Sequence, residues 1–261
     1  LPSDVMEAWK LFLDKLEKEE GHRKACLVMH TDPGDPEGPN LLMVQELLGL
    51  QNNVLFSVQK LDFGHMNVLH NVTDCCINIA KNEGFGLSTL ISLQCGKPVV
   101  ALKTGGLTRQ VVDYRDGTEL GAAIEPVTRK LVGSQMVPYI YEDFASQEDV
   151  ANGLMKIYKM TAEEKAAMKA KTTEYVAHEF NFEKMIEDWS RTLSETIQKW
   201  EAEKATRKQW SITPLNVQVQ PQRIAAQVEK SKPSINLSAD HPFKKIHPTI
   251  LAKLGVKGKG K

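Results

Sequence analysis

Residues 74–112 read DCCINIAKNEGFGLSTLISLQCGKPVVALKTGGLTRQVV. Cys75-Cys76-Ile77-Asn78-Ile79 is a short apolar run of strand type, and Pro98-Val99-Val100-Ala101-Leu102 is a second. Glu83-Gly84-Phe85-Gly86 follows the first strand as a glycine-rich turn, and Gly86 to Gln94 then has the length and pattern of a helix. After the second strand comes Gly105-Gly106, then a helical turn over Thr108 to Val112.

The same alternation extends upstream. Apolar positions Val5, Met6, Trp9, Leu11, Phe12, Leu13 and Leu16 among charged ones predict an amphipathic helix over residues 4–19, capped by Ser3 or Asp4. A strand over Ala25 to His30 runs into the loop TDPGDPEGPN, followed by a helix over Leu41 to Leu50. A strand over Asn53 to Val58 and a short helix over Met66 to Asn71 precede Cys75. Downstream, a strand over Gly121 to Ile124 stands alone in an otherwise loop-like stretch between Tyr114 and Tyr141. Helices over Ser146–Lys159, Thr161–Glu179 and Phe182–Lys199 close the compact part, and Thr161 with Glu164 has capping-box spacing. Strands that alternate with helices imply an α/β fold, a doubly wound, Rossmann-like parallel sheet whose ligands bind at the strand carboxyl ends.

A glycine-rich strand-to-helix turn suits a phosphate. It lets backbone N–H groups approach, and the helix N-terminus adds about half a positive charge. Gly84 and Gly86 supply that approach here, and Leu87 and Ser88 begin the helix. The Ser88 hydroxyl can cap the helix or donate to a phosphate oxygen, and the cap is the favoured reading.

The linked pieces Glu83-Gly84-Phe85-Gly86-Leu87, Cys95-Gly96-Lys97-Pro98-Val99-Val100 and Gly105-Gly106 resemble the donor-binding core of the retaining glycosyltransferases with two facing Rossmann-like domains, the GT-B fold, glycosyl transferases group 1. Asp74, nine residues before Glu83, matches the family's Asp. The resemblance extends more loosely over residues 4–200, including the closing helix with Trp189 and Trp200. It implies a nucleotide-diphosphate sugar as substrate, with no cofactor. Glu83, the catalytic residue of the reading, would contact the sugar hydroxyls; Gly84, Phe85, Gly86, Leu87 and Ser88 would line the phosphate; Gly105 and Gly106 would close the site. Lys103 would add positive charge near the leaving group, though an exposed loop lysine is the plainer reading. Retention would follow a front-face route in which the leaving phosphate oxygen helps deprotonate the acceptor, and helix dipole and basic groups would stabilise the diphosphate without a divalent ion.

Two departures accompany the match. The family often has a second Glu, gripping ribose, eight residues after the first, and here Ile91 stands there. An active subfamily with another ribose contact, an altered donor and a degenerate, non-catalytic interaction module are all compatible with that. The family's pyrophosphate-binding Lys or Arg and its acceptor-binding N-terminal domain lie upstream of the first helix, so the expected partner is that domain or a separate subunit.

The bulk numbers fit this reading. A chain of 261 residues, 41% hydrophobic and 25% charged, is long enough for one sizeable α/β domain with extensions. The expected division is 1–200 for the donor-binding domain and 201–261 for a Pro-containing tail, disordered or draped. That tail has 12 Lys or Arg against 4 Asp or Glu, so its excess of positive charge offsets an acidic body. It lacks the interleaved aromatics of a nucleic-acid surface, and no sequence-specific nucleic-acid partner is expected. No apolar run reaches transmembrane length, and the first twenty residues lack the basic-then-apolar order of a secretory leader, so the cytoplasm is the expected place. Cys26, Cys75, Cys76 and Cys95 have no metal-ligand spacing and read as buried free thiols. His65 and His70 are five apart, and Asp32 to Gly38 lacks the spacing of a calcium loop, so no metal site is expected.

Overall fold

The computed structural model describes residues 2–137 and 139–207. The chain divides into two units, Leu1–Ile197 and Gln198–Lys261. The first unit has α1 (Pro2–Glu20), β1 (Leu27–Met29), α2 (Leu41–Leu47), β2 (Val54–Phe56), α3 (Phe63–Val72), β3 (Cys76–Asn78), α4 (Leu87–Gln94) and β4 (Val99–Leu102). It continues through α5 (Thr108–Val111), β5 (Gly121–Ile124), β6 (Thr128–Val132), β7 (Ile140–Phe144), α6 (Gln147–Tyr158) and α7 (Ala162–Glu179) into α8 (Phe182–Glu203).

The parallel strand pairing puts the loops that leave the strand carboxyl ends at one end of each ladder. β1 and β2 pair in parallel, and β3, β4 and β5 form a second parallel ladder in that order. β4 is the hinge of the packing. All four of its side chains are fully buried, and they alternate between two cores as the period of a strand dictates. Val100 and Leu102 join Met6, Phe12 and Leu13 of α1 and Val150 and Leu154 of α6, while Val99 and Ala101 join Leu93 of α4, Val111 of α5 and Tyr175 of α7. Helices thus cover both faces, the doubly wound arrangement that the alternation of elements predicts.

α1 buries Met6, Trp9, Leu13 and Leu16, an apolar stripe at three- and four-residue intervals. Trp9 Nε1 donates to the Asn53 carbonyl (3.1 Å), and the Asn53 carboxamide donates to the carbonyls of Arg23 and Ala25 (2.8 Å each), so one polar residue fixes the entry of β1 beside β2. Thr161 and Glu164 form the capping box that their spacing predicts.

Four expectations change. Ser3 and Asp4 do not precede the first helix: both lie in its first turn, with Pro2 already helical, a position that costs proline no hydrogen bond. The stretch before Tyr141 is not loop, because β6 and β7 pair as an antiparallel hairpin, with Arg129 opposite Asp143. The cysteines are not uniformly buried: Cys26 is exposed, and Cys75, Cys76 and Cys95 are half-buried. The last helix buries no residue at all, leaving Phe182, Met185, Ile186, Trp189, Leu193 and Ile197 exposed along it.

Of the second unit, the end of α8 and the turn after it are described, with the Arg207 guanidinium 3.2 Å from the centre of the Trp200 ring. The expectation of a disordered or draped tail lies, from residue 208 on, outside the described residues. Among the described residues no helix is long and apolar enough to cross a membrane.

Candidate functional site

β3 and β4 are adjacent and parallel, so the loops that leave their carboxyl ends are neighbours. The first runs through Glu83-Gly84-Phe85-Gly86 into α4. The second runs through Lys103 and Thr104 into a single 3₁₀ turn, Gly105–Leu107, and then α5. The two glycine turns meet backbone to backbone: the Gly106 N–H donates to the Glu83 carbonyl at 3.0 Å.

The glycines are there for that contact. A Cβ on Gly105 would lie 2.0 Å from the Glu83 carbonyl oxygen, in a backbone with φ +47, and one on Gly106 would lie 2.6 Å from the Phe85 carbonyl oxygen. Their bare sides therefore face the other loop. Gly86 is the N-cap of α4 in a left-handed conformation (φ 90), where a side chain would overlap Leu107 and Thr89. Gly84, in contrast, has open space where a Cβ would stand.

Capping of α4 also differs from expectation. Gly86 has no side chain to offer, and Ser88 is exposed one residue inside the helix, so the serine does not cap it. The Glu83 carboxylate takes part of that role. Its Oε1 accepts from the N–H groups of Gly86 (3.1 Å) and Phe85 (3.3 Å). A negatively charged oxygen thus sits on two backbone donors at a helix N-terminus, the place that such a turn offers to an anion. Leu87 is exposed beside it, and Phe85 is half-exposed with its ring edge-on to Phe180, 6.0 Å between centres.

Two buried polar residues that the sequence reading did not single out hold this loop from below. Gln110 is fully buried; its Nε2 donates to the Phe85 carbonyl, and its Oε1 meets the Thr89 hydroxyl, which also bonds the Gly86 carbonyl (2.8 Å). The available signal was a glutamine three residues after Leu107, on the buried side of a short helical turn.

Lys103 is half-buried and ion-paired with Glu125 at 2.5 Å, so its charge is already met within the protein. Thr104 donates its hydroxyl to Asp143 (2.8 Å), whose carboxylate also accepts from Arg129 Nε (2.6 Å) and a terminal guanidinium nitrogen (2.9 Å). The Arg129 guanidinium holds the Asp143 carboxyl below its ordinary range, and the Thr104 hydroxyl acts in the same direction.

Ile91 lies in a groove of about 330 Å³ with Phe63, Met66, Asn67 and Cys95, between α3, α4 and α7. In the acidic loop, Asp32 and Asp35 accept from the N–H groups of Gly34 and Glu37, both at 2.9 Å, as turn residues do. His65 pairs with Asp62 (2.8 Å), while His70 is buried. Burial pushes the thiols of Cys75 and Cys76 up to about 12, so both are held protonated.

Comparison with known proteins places this geometry. A search of curated proteins finds no match. Among solved structures, sucrose-phosphate synthase from Thermosynechococcus elongatus is similar at a TM-score of 0.52 and 20% identity, over 74% of this chain and 42% of that one. A glycosyltransferase from Rickettsia africae is similar at 0.52 and 18%, over 72% of this chain and 44% of that one. TarM of S. aureus, solved with fondaparinux, α-GlcNAc-glycerol and UDP, is similar at 0.50 and 16%, over 73% of this chain and 33% of that one. The chain therefore spans less than half the length of these solved chains. Residues 7–127 match the model of the family glycosyl transferases group 1. The match over residues 7–127 agrees with the resemblance read from residues 74–112, and the solved structures show that the chain has the GT-B type of fold.

Proposed function

We propose that this domain binds a nucleoside-diphosphate sugar over the Glu83–Ser88 loop and takes part in transferring the sugar, with retention, to an acceptor held by another domain or subunit. One observation carries the reading. Two glycine turns lock together at adjacent strand ends and present the N-terminus of α4, with a carboxylate resting on the N–H groups of Phe85 and Gly86 just before it. In this reading a donor phosphate takes those N–H groups, and the displaced Glu83 carboxylate turns to accept hydrogen bonds from the sugar hydroxyls.

The α4 dipole and backbone donors would meet the charge of the leaving diphosphate, so the proposal needs no metal ion. Lys103 contributes less than the resemblance implies, because Glu125 balances it. An acceptor-binding domain outside this chain accords with the span, under half, that the chain covers of its structural relatives. A cytoplasmic place of action accords with cysteines that are all unpaired.

A second reading, a non-catalytic interaction module of the same fold, is favoured by Ile91, which cannot accept a hydrogen bond from ribose. Calorimetric titration with UDP, GDP and their common sugar conjugates separates the two. Binding of a conjugate that depends on Glu83 supports the donor site. Absence of binding by all of them at millimolar concentration, with the acceptor domain also supplied, favours the module.

A further inference from the structure

The β6–β7 hairpin forms no hydrogen-bonded ladder with the parallel strands, and a two-stranded hairpin is marginal by itself. What ties it to the domain converges on Asp143. This residue is 4% exposed and lies within a strand, where aspartate is disfavoured. Its carboxylate accepts from Arg129 across the hairpin and from Thr104, the residue before Gly105. Its own N–H donates to the Lys81 carbonyl (2.8 Å), two residues before Glu83. One residue thus grips the start of both glycine turns, which touch each other a few residues further on.

Stability alone does not account for this arrangement. The Arg129 side chain is 62% exposed, so solvent screens its pair with Asp143 and the pair adds little to stability. What the carboxylate provides is direction. Thr104 stands at the N-cap of the 3₁₀ turn, where a threonine hydroxyl commonly accepts from the turn's own N–H groups, yet it makes no such bond and points to Asp143 instead. Secondary contacts act the same way: the Asn82 carboxamide reaches the Tyr141 carbonyl (3.4 Å), and Lys81 Nζ lies 4.4 Å from the centre of the Phe144 ring.

We propose that Asp143 is a positioning residue of the donor site: through Thr104 and the Lys81 carbonyl it fixes the spacing of the Glu83–Gly86 and Gly105–Gly106 turns, and makes the hairpin part of the site. The proposal rests on the donor reading for its purpose, but not for its geometry.

The test uses the full chain with Asp143→Asn, Thr104→Val and Thr104→Ser. Amide hydrogen exchange is read at Gly106 and at Val100 of β4, beside titration with UDP-glucose. Asp143→Asn and Thr104→Val are expected to speed exchange at Gly106 by about tenfold while Val100 keeps its protection, and Thr104→Ser to behave as wild type. The same two variants are expected to weaken UDP-glucose binding by about tenfold, the serine again sparing it. Unchanged exchange at Gly106, or equal acceleration at Gly106 and Val100, overturns the proposal, because the clamp would then be idle or merely a general support. Thr104→Val leaves the Arg129–Asp143 pair intact, so it decides the matter even where Asp143→Asn fails to fold. A wild-type chain that binds neither UDP, GDP nor any of their sugar conjugates, with the acceptor domain supplied, while the loops loosen in both variants, sinks the donor reading and leaves the clamp standing.

Discussion

Glu83→Ala is expected to change the ranking of ligands and not merely their affinity. The carboxylate accepts from Gly86 N (3.1 Å) and Phe85 N (3.3 Å). A hydrogen bond to a charged group is worth about 1.5–3 kcal/mol at good geometry, but both contacts are long and the residue is half-buried, so the two together hold about 1 kcal/mol. A phosphate that takes the same N–H groups must first displace the carboxylate, and alanine removes that cost. UDP should therefore bind the variant about fivefold more tightly. A UDP-sugar gains the same 1 kcal/mol or so but loses two hydrogen bonds from its hydroxyls to the carboxylate, about 3 kcal/mol together, and should bind about thirtyfold more weakly. Calorimetric titration of both ligands against both proteins, with thermal unfolding as the control for folding, gives the ratio. Equal weakening of UDP and UDP-sugar refutes the reasoning, for the carboxylate would then not compete with phosphate at all.

Gly106→Ala places a Cβ 2.6–2.7 Å from the Gly84 and Phe85 backbone, so the turns must part, at a cost of about 1–3 kcal/mol and with loss of UDP-sugar binding; urea unfolding and titration check it, and full binding refutes it. Gln110→Leu leaves the Phe85 carbonyl without its donor and should cost about 1–3 kcal/mol in the same unfolding assay, an effect under about 0.5 kcal/mol counting against the role of Gln110. Stability should fall with acid in two stages. Burial pushes the His70 imidazole below its ordinary 6.5, so the unfolded chain binds a proton that the native one refuses, and stability is lost as pH drops below 6.5 towards the native value. Arg129 and Arg115 hold Asp143 and Asp113 below the ordinary 3.8, so their contribution is complete above that pH and is lost beneath it. Melting midpoints against pH follow both stages, and His70→Gln should remove the first alone.

The parts of this fold that were legible are those where local chemistry and burial agree. Pro98 to Leu102 is apolar throughout because β4 is covered on both faces, and the strand can be read from that run. Glu83 to Gly86 is legible because only glycine accepts the backbone of Gly86, although the sequence does not reveal that the bare sides of Gly105 and Gly106 face the neighbouring turn. The hairpin was hidden by its exposure: Thr128 to Lys130 are polar and exposed, and no alternation marks a strand that faces solvent. Gln110 and Asp143 were hidden for another reason. Polarity is visible in a sequence, but the partner that makes burial tolerable comes from another element, 25 residues away for Phe85 and 39 for Thr104.

The sharing of β4 between two cores bears on how the domain comes apart. Val100 and Leu102 belong to the layer of α1 and α6, Val99 and Ala101 to the layer of α4, α5 and α7, and the two sets alternate on four consecutive residues. Neither layer can shed its helices without exposing side chains whose backbone is also the floor of the other. The two layers should therefore melt together, in a single calorimetric transition with van't Hoff and calorimetric enthalpies in agreement.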